Sequence, residues 1–385
     1  MKNRSKHARI RTITMGLPGP PREDQISWAG EKLKSARDAF TQLGYEVQSR
    51  RIALDHWDLG TTRLPARERE SNFNLLDRLS STNQIDFCSI GMASSPSDID
   101  HLAEILSNPS HLSGSAQIGA LRGGPDRNSI AAAARAMIRL SATPDGFGNF
   151  RFAAGSFIGP GTPFFPCSFH DGSPPCFAIG LENGGLLVDA FAGATTQEAA
   201  MNQLENSLND CYREVADAAN KISKEIEVPF RGLDTSIAPS LQPEESITLA
   251  FEARGIAFGA PGTLALCGAI TSAVKSVPVP QVGYCGIMLP VLEDVGLAKA
   301  SDDHRFGVID LLAYSAVCGV GLDMIAIAGD VEARALTDLL MDLATISSKL
   351  GKPLSARILP VHGMRAGEMT TFDSPYICNS RIMTI

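Results

Sequence analysis

Along this chain the spacing of apolar positions switches repeatedly between the two-residue alternation of strands and the 3.6-residue stripe of helices. Residues 9–15 (RIRTITM) alternate polar and apolar and predict a first strand. The Gly16-Leu-Pro-Gly-Pro-Pro21 stretch stops it. Residues 26–43 then predict an amphipathic helix, with Gly44 placed as its C-terminal cap. A second strand is expected over 45–54. Further strands are expected over 85–91, 116–121, 152–158, 176–181, 233–238, 283–292, 322–327 and 354–361. Helices are expected over 96–106, 129–140, 195–226, 244–254, 263–275, 305–317 and 331–350. The last carries Leu336, Leu339, Leu340, Leu343 and Leu350 on one stripe, and Thr195-Thr-Gln-Glu198 fits a capping box for the longest.

Strands alternating with helices imply βαβ units and a largely parallel sheet. Roughly eight to ten such units favour an α/β barrel, closed or nearly so, over an open sheet. One large domain over residues 1–385 is the expected organisation. Ligands in such folds collect where strands end and loops begin, so polar residues at strand ends are the ones to weigh. Gly232-Leu-Asp234 and Gly321-Leu-Asp323 echo each other, each placing an Asp early in an apolar strand. Two short matches do not make a repeat.

Composition adds exclusions. With 44% hydrophobic and 20% charged residues, the 385-residue chain sits in the globular range. A formal charge of −8 argues against a nucleic-acid partner, since the one basic cluster lies between Lys2 and Arg11. None of the eight cysteines forms a C-x-x-C pair, and a chain with this much core needs no disulfide framework. No apolar h-region follows Met1 and no run of about eighteen apolar residues occurs, so no membrane span and a cytoplasmic location are expected.

The P-loop, G-x-G-x-x-G, H-E-x-x-H and G-x-S-x-G signatures are absent. Chemistry must therefore come from less stereotyped segments. Residues 159–182 pack five prolines, two cysteines and two acids around His170, the side chain best suited to titrate near neutrality; the plainer reading is a buried His bonded to backbone. Asp234 and Asp323 fall in strands that demand burial, so each needs a partner, a metal or a raised pKa, or else caps backbone N–H groups in a turn. Ser236 adds a hydroxyl beside Asp234. Glu293 and Asp294 follow an expected strand, either as a cation-binding or acid–base pair or as a helix start. Cys285 is a candidate nucleophile, although buried inert cysteines are commoner. Glu182 closes the strand that begins at Cys176.

Taken together, Arg11-Thr-Ile-Thr-Met-Gly16, Pro163-Phe-Phe-Pro166 with Phe169-His170, Asp234-Thr-Ser-Ile-Ala-Pro239, Leu289-Pro-Val-Leu-Glu-Asp294 and Val320-Gly-Leu-Asp-Met-Ile-Ala-Ile327 resemble, in order, the marker segments of domain-of-unknown-function family 711. The resemblance covers nearly the whole chain. It implies a fold similar to the ten-stranded α/β barrel of glycyl radical enzymes of the pyruvate formate-lyase type, and it supplies no reaction. Radical chemistry is not expected: residues 376–385 contain no glycine, and the chain has no adjacent cysteine pair.

The expectation that follows is a non-radical enzyme acting on a small polar, carboxylate-bearing metabolite by acid–base chemistry of lyase or isomerase type. His170, Asp234, Asp323 and Cys285 are its catalytic candidates; Ser236, Glu293, Asp294 and Glu182 are its substrate-binding candidates. No cofactor is expected. The alternatives are a hydrolase using the same acids as Mg²⁺ or Ca²⁺ ligands, and a non-catalytic metabolite-binding protein. Self-association into a homo-oligomer is left open.

Overall fold

The structure is a computed structural model that describes residues 9–19, 21–55, 66–108, 110–120, 123–143 and 147–385. Residues 2–8 of the basic N-terminal cluster, and Leu121 at the end of one expected strand, lie outside the described residues.

Strands and helices alternate as the sequence pattern requires. The strands are β1 Arg9–Gly16, β2 Arg50–Ala53, β3 Phe87–Ala93, β4 Leu112–Ala120, β5 Gly124–Pro125, β6 Phe152–Ser156, β7 Cys176–Glu182, β8 Phe230–Asp234, β9 Gly321–Ala328 and β10 Leu354–Val361. The larger helices are α1 Glu23–Gln42, α2 Ala66–Thr82, α3 Pro96–Leu106, α4 Arg127–Leu140, α5 Gly184–Ala192 and α6 Gln197–Ile226. They continue with α7 Thr248–Glu252, α8 Thr263–Ser276, α9 Val295–Asp302, α10 Val308–Tyr314 and α11 Ala333–Leu350. None of these helices is long and apolar enough to cross a membrane.

All ten strands belong to one mixed sheet in the order β8-β7-β1-β2-β3-β4-β6-β10-β9, with β5 as a hairpin on β4. β1, β2, β3, β4 and β6 run parallel to one another. β7 pairs antiparallel with β1 and parallel with β8, while β10 pairs antiparallel with β6 and parallel with β9. The sheet is thus a parallel block flanked on each side by a parallel pair running the other way. Helices cover its outside. α11 lays Leu336, Leu339, Leu340 and Leu343 against α4 and the β10 side of the sheet. α6 buries Leu204, Leu208, Tyr212, Val215 and Ile222 against α5, α8 and β8. Its cap is Thr196, which accepts from the Ala199 amide at 3.1 Å; the residue three beyond this cap is Ala199, so no acid reciprocates and the expected box at Thr195 does not form.

The edges β8 and β9 are not hydrogen-bonded to each other, so the sheet does not close by continuous pairing. Between them lies the strip 281–288, most of it within the 283–292 stretch that the sequence pattern predicts as a strand. It touches β8 and the chain after it through single bridges, Leu233 with Gln281 and Ile237 with Ile287. On its other side the Gly319 amide donates to the Ile287 carbonyl. Regular pairing fails because Gly283 and Cys285 have φ of +83° and +51°, which turn the strip out of register. Gly286 and Gly319 meet backbone to backbone there: a Cβ on Gly286 would lie 2.7 Å from Gly319 Cα. Only glycines permit that approach.

Candidate active-site cavity

Arginines on the strands build the interior. Arg9 and Arg11 sit two apart on β1 and so face one way; Arg51 lies on β2 and Arg357 on β10. A guanidinium cannot be dehydrated alone, so each recruits a partner. Arg357 makes a fork to Asp323 on β9, Nε to Oδ1 at 2.7 Å and Nη2 to Oδ2 at 3.1 Å, and also reaches Glu293 Oε1 at 2.7 Å. Arg11 joins Glu293 Oε2 at 2.6 Å to Glu182 Oε2 at 2.7 Å. Arg9 holds Glu182 Oε1 at 2.7 Å and pairs with Glu245. Charge-assisted bonds of this length in a buried setting fix the carboxylates in place.

Arg51 is the exception. It is buried, yet among the described residues it forms no ion pair; Nε donates to Ser49 Oγ at 3.0 Å. Its guanidinium stacks 4.5 Å from the Phe165 ring centroid and 5.5 Å from that of Phe87, and these two rings are themselves stacked at 4.4 Å. Burial, then repulsion by Arg11, lowers the Arg51 guanidinium to about 9. It remains charged at neutral pH.

These side chains surround two adjoining cavities. The inner one, about 40 Å³, is lined by Arg51, Tyr284, Glu293, Asp323, Ser355 and Arg357 among others. The outer one, about 390 Å³, has Arg9, Gln48, Glu182, Phe150 and Tyr376 on its walls and shares Arg11, Arg51, Phe165 and Glu293 with the inner. At the inner end the Tyr284 and Ser355 hydroxyls meet at 2.9 Å. The two acids of the inner cavity are driven apart. Burial and the Glu293 charge push the Asp323 carboxyl up against the pull of Arg357. For Glu293, burial is outweighed by Arg357 and Arg11, which hold the carboxyl below its ordinary value. Opposite shifts in neighbouring acids are the arrangement that separates a proton carrier from a permanent charge.

The sign of the Glu293 shift gives a pH dependence. A folded value below the unfolded one adds stability that is complete above about pH 4.3 and is lost as pH falls through the folded value. In urea titrations from pH 7 to pH 3, Glu293→Gln is therefore expected to flatten the acid limb of the stability curve. An unchanged acid limb would place the acid sensitivity elsewhere.

The remaining sequence candidates are not brought to this cavity. Asp234 is fully buried but spends itself on the strip: Oδ1 accepts from the Ser236 amide at 3.0 Å, the Ser236 hydroxyl at 2.5 Å and the Cys285 amide at 3.2 Å, and Oδ2 accepts from the Tyr284 amide at 2.8 Å. Asp294 caps α9 by accepting from the amides of Gly296 and Leu297, and also ties down Ser246 and Ile247. Cys285 is buried, its thiol pushed up to about 12 by burial and by Asp234. His170 lines a separate cavity with Gly16, Cys176 and Arg231. The β1–β7 register explains the separation: Arg9 faces Glu182 at one end of the ladder, and Gly16 faces Cys176 at the other. Arg11 and Gly16 are thus roughly 16 Å apart along β1. Of the expected set, Glu182, Glu293 and Asp323 converge, and Arg11, Arg51 and Arg357 are the functional side chains that pattern reading missed.

Fold and cavity together define a mixed α/β protein with a charge-lined chamber inside a ten-stranded sheet. The chain belongs to the family described as Uncharacterised ACR (DUF711), whose profile matches residues 3–373. It is similar to a UPF0210 protein of Oleidesulfovibrio alaskensis, 25% identical over 96% of this chain and 89% of that protein. A UPF0210 protein of Pyrobaculum islandicum is 28% identical over 70% of this chain and 62% of its own length. One from Desulforudis audaxviator is 33% identical over 54% of this chain and 48% of its own length.

Proposed function

We propose that the protein is a non-radical enzyme acting on a small carboxylate-bearing metabolite, by acid–base chemistry of the lyase or isomerase type. The observation that carries this is Arg51. A buried guanidinium without an ion-pair partner among the described residues, facing a cavity and braced on aromatic rings, is poised to receive an anion. The carboxylate of the metabolite would bind Arg51. Asp323, its pKa raised, would move a proton at the adjacent carbon, while Glu293 stays ionised. The Tyr284 and Ser355 hydroxyls would orient a second polar group. On this reading the strip 281–288 completes a flattened barrel similar to the ten-stranded type, with the chamber at its centre.

The alternative use of the acids as Mg²⁺ or Ca²⁺ ligands is less well supported, because the oxygens of Glu293 and Asp323 are already engaged by guanidiniums. That same engagement favours, as second reading, a non-catalytic metabolite-binding protein.

The experiment is proton exchange in D₂O with acetate, lactate, malate and succinate, followed by ¹H NMR. Protein-dependent loss of an α-proton signal is expected, reduced about a hundredfold or more in Asp323→Asn. Arg51→Gln should raise the KM for that exchange more than it lowers kcat. Calorimetric binding of a carboxylate with no exchange would select the binding-protein reading. Neither binding nor exchange with any of the four would sink both.

A further inference from the structure

The cavity around His170 has chemistry of its own. It measures about 10 Å³, the lower limit of the room a single water needs, and is lined by Thr14, Gly16, His170, Cys176 and Arg231 among others. Cys176 opens β7 and is half-buried. Arg231 on β8 points Nη1 at its sulfur from 3.9 Å and holds Asp171 Oδ2 with Nη2 at 3.0 Å. His170 has no exposed surface. Its Nε2 bonds the Ser173 carbonyl at 2.8 Å, whereas Nδ1 has no hydrogen-bond partner among the described residues. That orphaned nitrogen is turned toward Gly16, where a Cβ would overlap it; Gly16 is also the register partner of Cys176. A buried polar atom without a hydrogen bond is costly; Nδ1 lies 4.0 Å from Asp171 Oδ1 and beside the Cys176 thiol.

We infer that Cys176 is a peroxide-reactive thiolate, with His170 and Arg231 as its positioning residues and hydrogen peroxide as its co-reactant. The sulfur attacks one peroxide oxygen and forms an S–O bond as the O–O bond breaks. The departing hydroxide takes the proton of the His170 imidazolium and leaves as water, so thiolate and peroxide become sulfenic acid and water. The electrostatics agree. Burial works against both groups, yet His170 and Arg231 hold the Cys176 thiol below its ordinary value and Cys176 holds the His170 imidazolium above its own. The charged groups acting on the sulfur are His170 from the loop before β7 and Arg231 from β8, each of them paired with Asp171; β1 and β2 contribute only Thr14, Gly16 and Ala53 to the cavity.

Cys378 provides an internal control. It is half-buried like Cys176, but burial pushes its thiol up to about 11. The test treats the intact chain with iodoacetamide across pH 5–9, and separately with hydrogen peroxide plus dimedone, and reads each cysteine by mass spectrometry. Cys176 should alkylate more than about tenfold faster than Cys378 at pH 7. It should also take the dimedone adduct at the lowest peroxide dose. Arg231→Gln should move the alkylation profile of Cys176 to higher pH and leave that of Cys378 in place; His170→Gln should do the same wherever it folds. Equal rates at the two cysteines, an unmoved profile in Arg231→Gln, or rapid alkylation without any dimedone adduct would each overturn the assignment.

Discussion

Arg357→Met should lower the unfolding free energy by about 3–5 kcal/mol, because it leaves Asp323 and Glu293 buried without the cation that holds both. The effect belongs to the orphaned acids rather than to the lost arginine. Glu293 keeps Arg11 at 2.6 Å, so Asp323 bears most of the penalty. Replacing the arginine and both acids together by Met and Leu should return much of the loss, since well-packed apolar groups often match a buried ionic cluster. Denaturant titration of the single and triple variants measures this. A single variant within about 0.5 kcal/mol of the parent, the range of ordinary surface changes, would mean that the chamber is wetter than its burial indicates.

Asp234→Ala is expected to cost about 3 kcal/mol or more. It strips an acceptor from the amides of Ser236, Tyr284 and Cys285, and each unsatisfied buried donor costs about 1–3 kcal/mol. Hydrogen exchange should rise first at Tyr284 and Cys285, because this carboxylate is the acceptor for those two amides. Asp234→Asn keeps the shape and one acceptor oxygen, and should lose less. If the Ala variant left exchange at those two amides unchanged, the strip would be held by its backbone bridges to Leu233 and Ile237 instead.

Much of the fold was legible in the sequence. β10 falls at 354–361 as its apolar run predicts, and β1, β7 and β9 lie within a residue or two of expectation. Those elements combine strong periodicity with full burial. Residues 283–292 read as a strand because their apolar run matches one; Gly283 and Cys285 in positive φ defeat the pairing. The five-residue α7 and the 3-10 turn Val291–Glu293 show the same limit, since tertiary contacts rather than local periodicity set their bounds.

The site was legible only in its acids. Asp323 and Glu293 stood out as carboxylates in apolar surroundings, and both line the chamber. Asp234 and Asp294 stood out equally, but their oxygens went to backbone amides, the plainer option their positions allowed. The arginines were overlooked because a charge on a strand reads as a solvent face. A signal existed: Arg357 falls in the largely apolar run of β10, and Arg9 with Arg11 share one face of β1. A cation inside an apolar strand requires a counter-charge or a ligand just as an acid does.

The ion pairs of the chamber also constrain when it can come into being. Arg11 grips Glu293, 282 residues away, and the fork on Asp323 waits for Arg357. At ribosomal speeds, the roughly 350 residues between the first and last of these arginines take about 20–70 s to synthesise. β7 brings Glu182 to Arg11 about halfway through that interval, whereas β6 keeps an open edge until β10 arrives with Arg357. The nascent chain must carry an unfinished sheet edge until its last strand emerges, a slow, non-local topology in which chaperone protection has the most to offer.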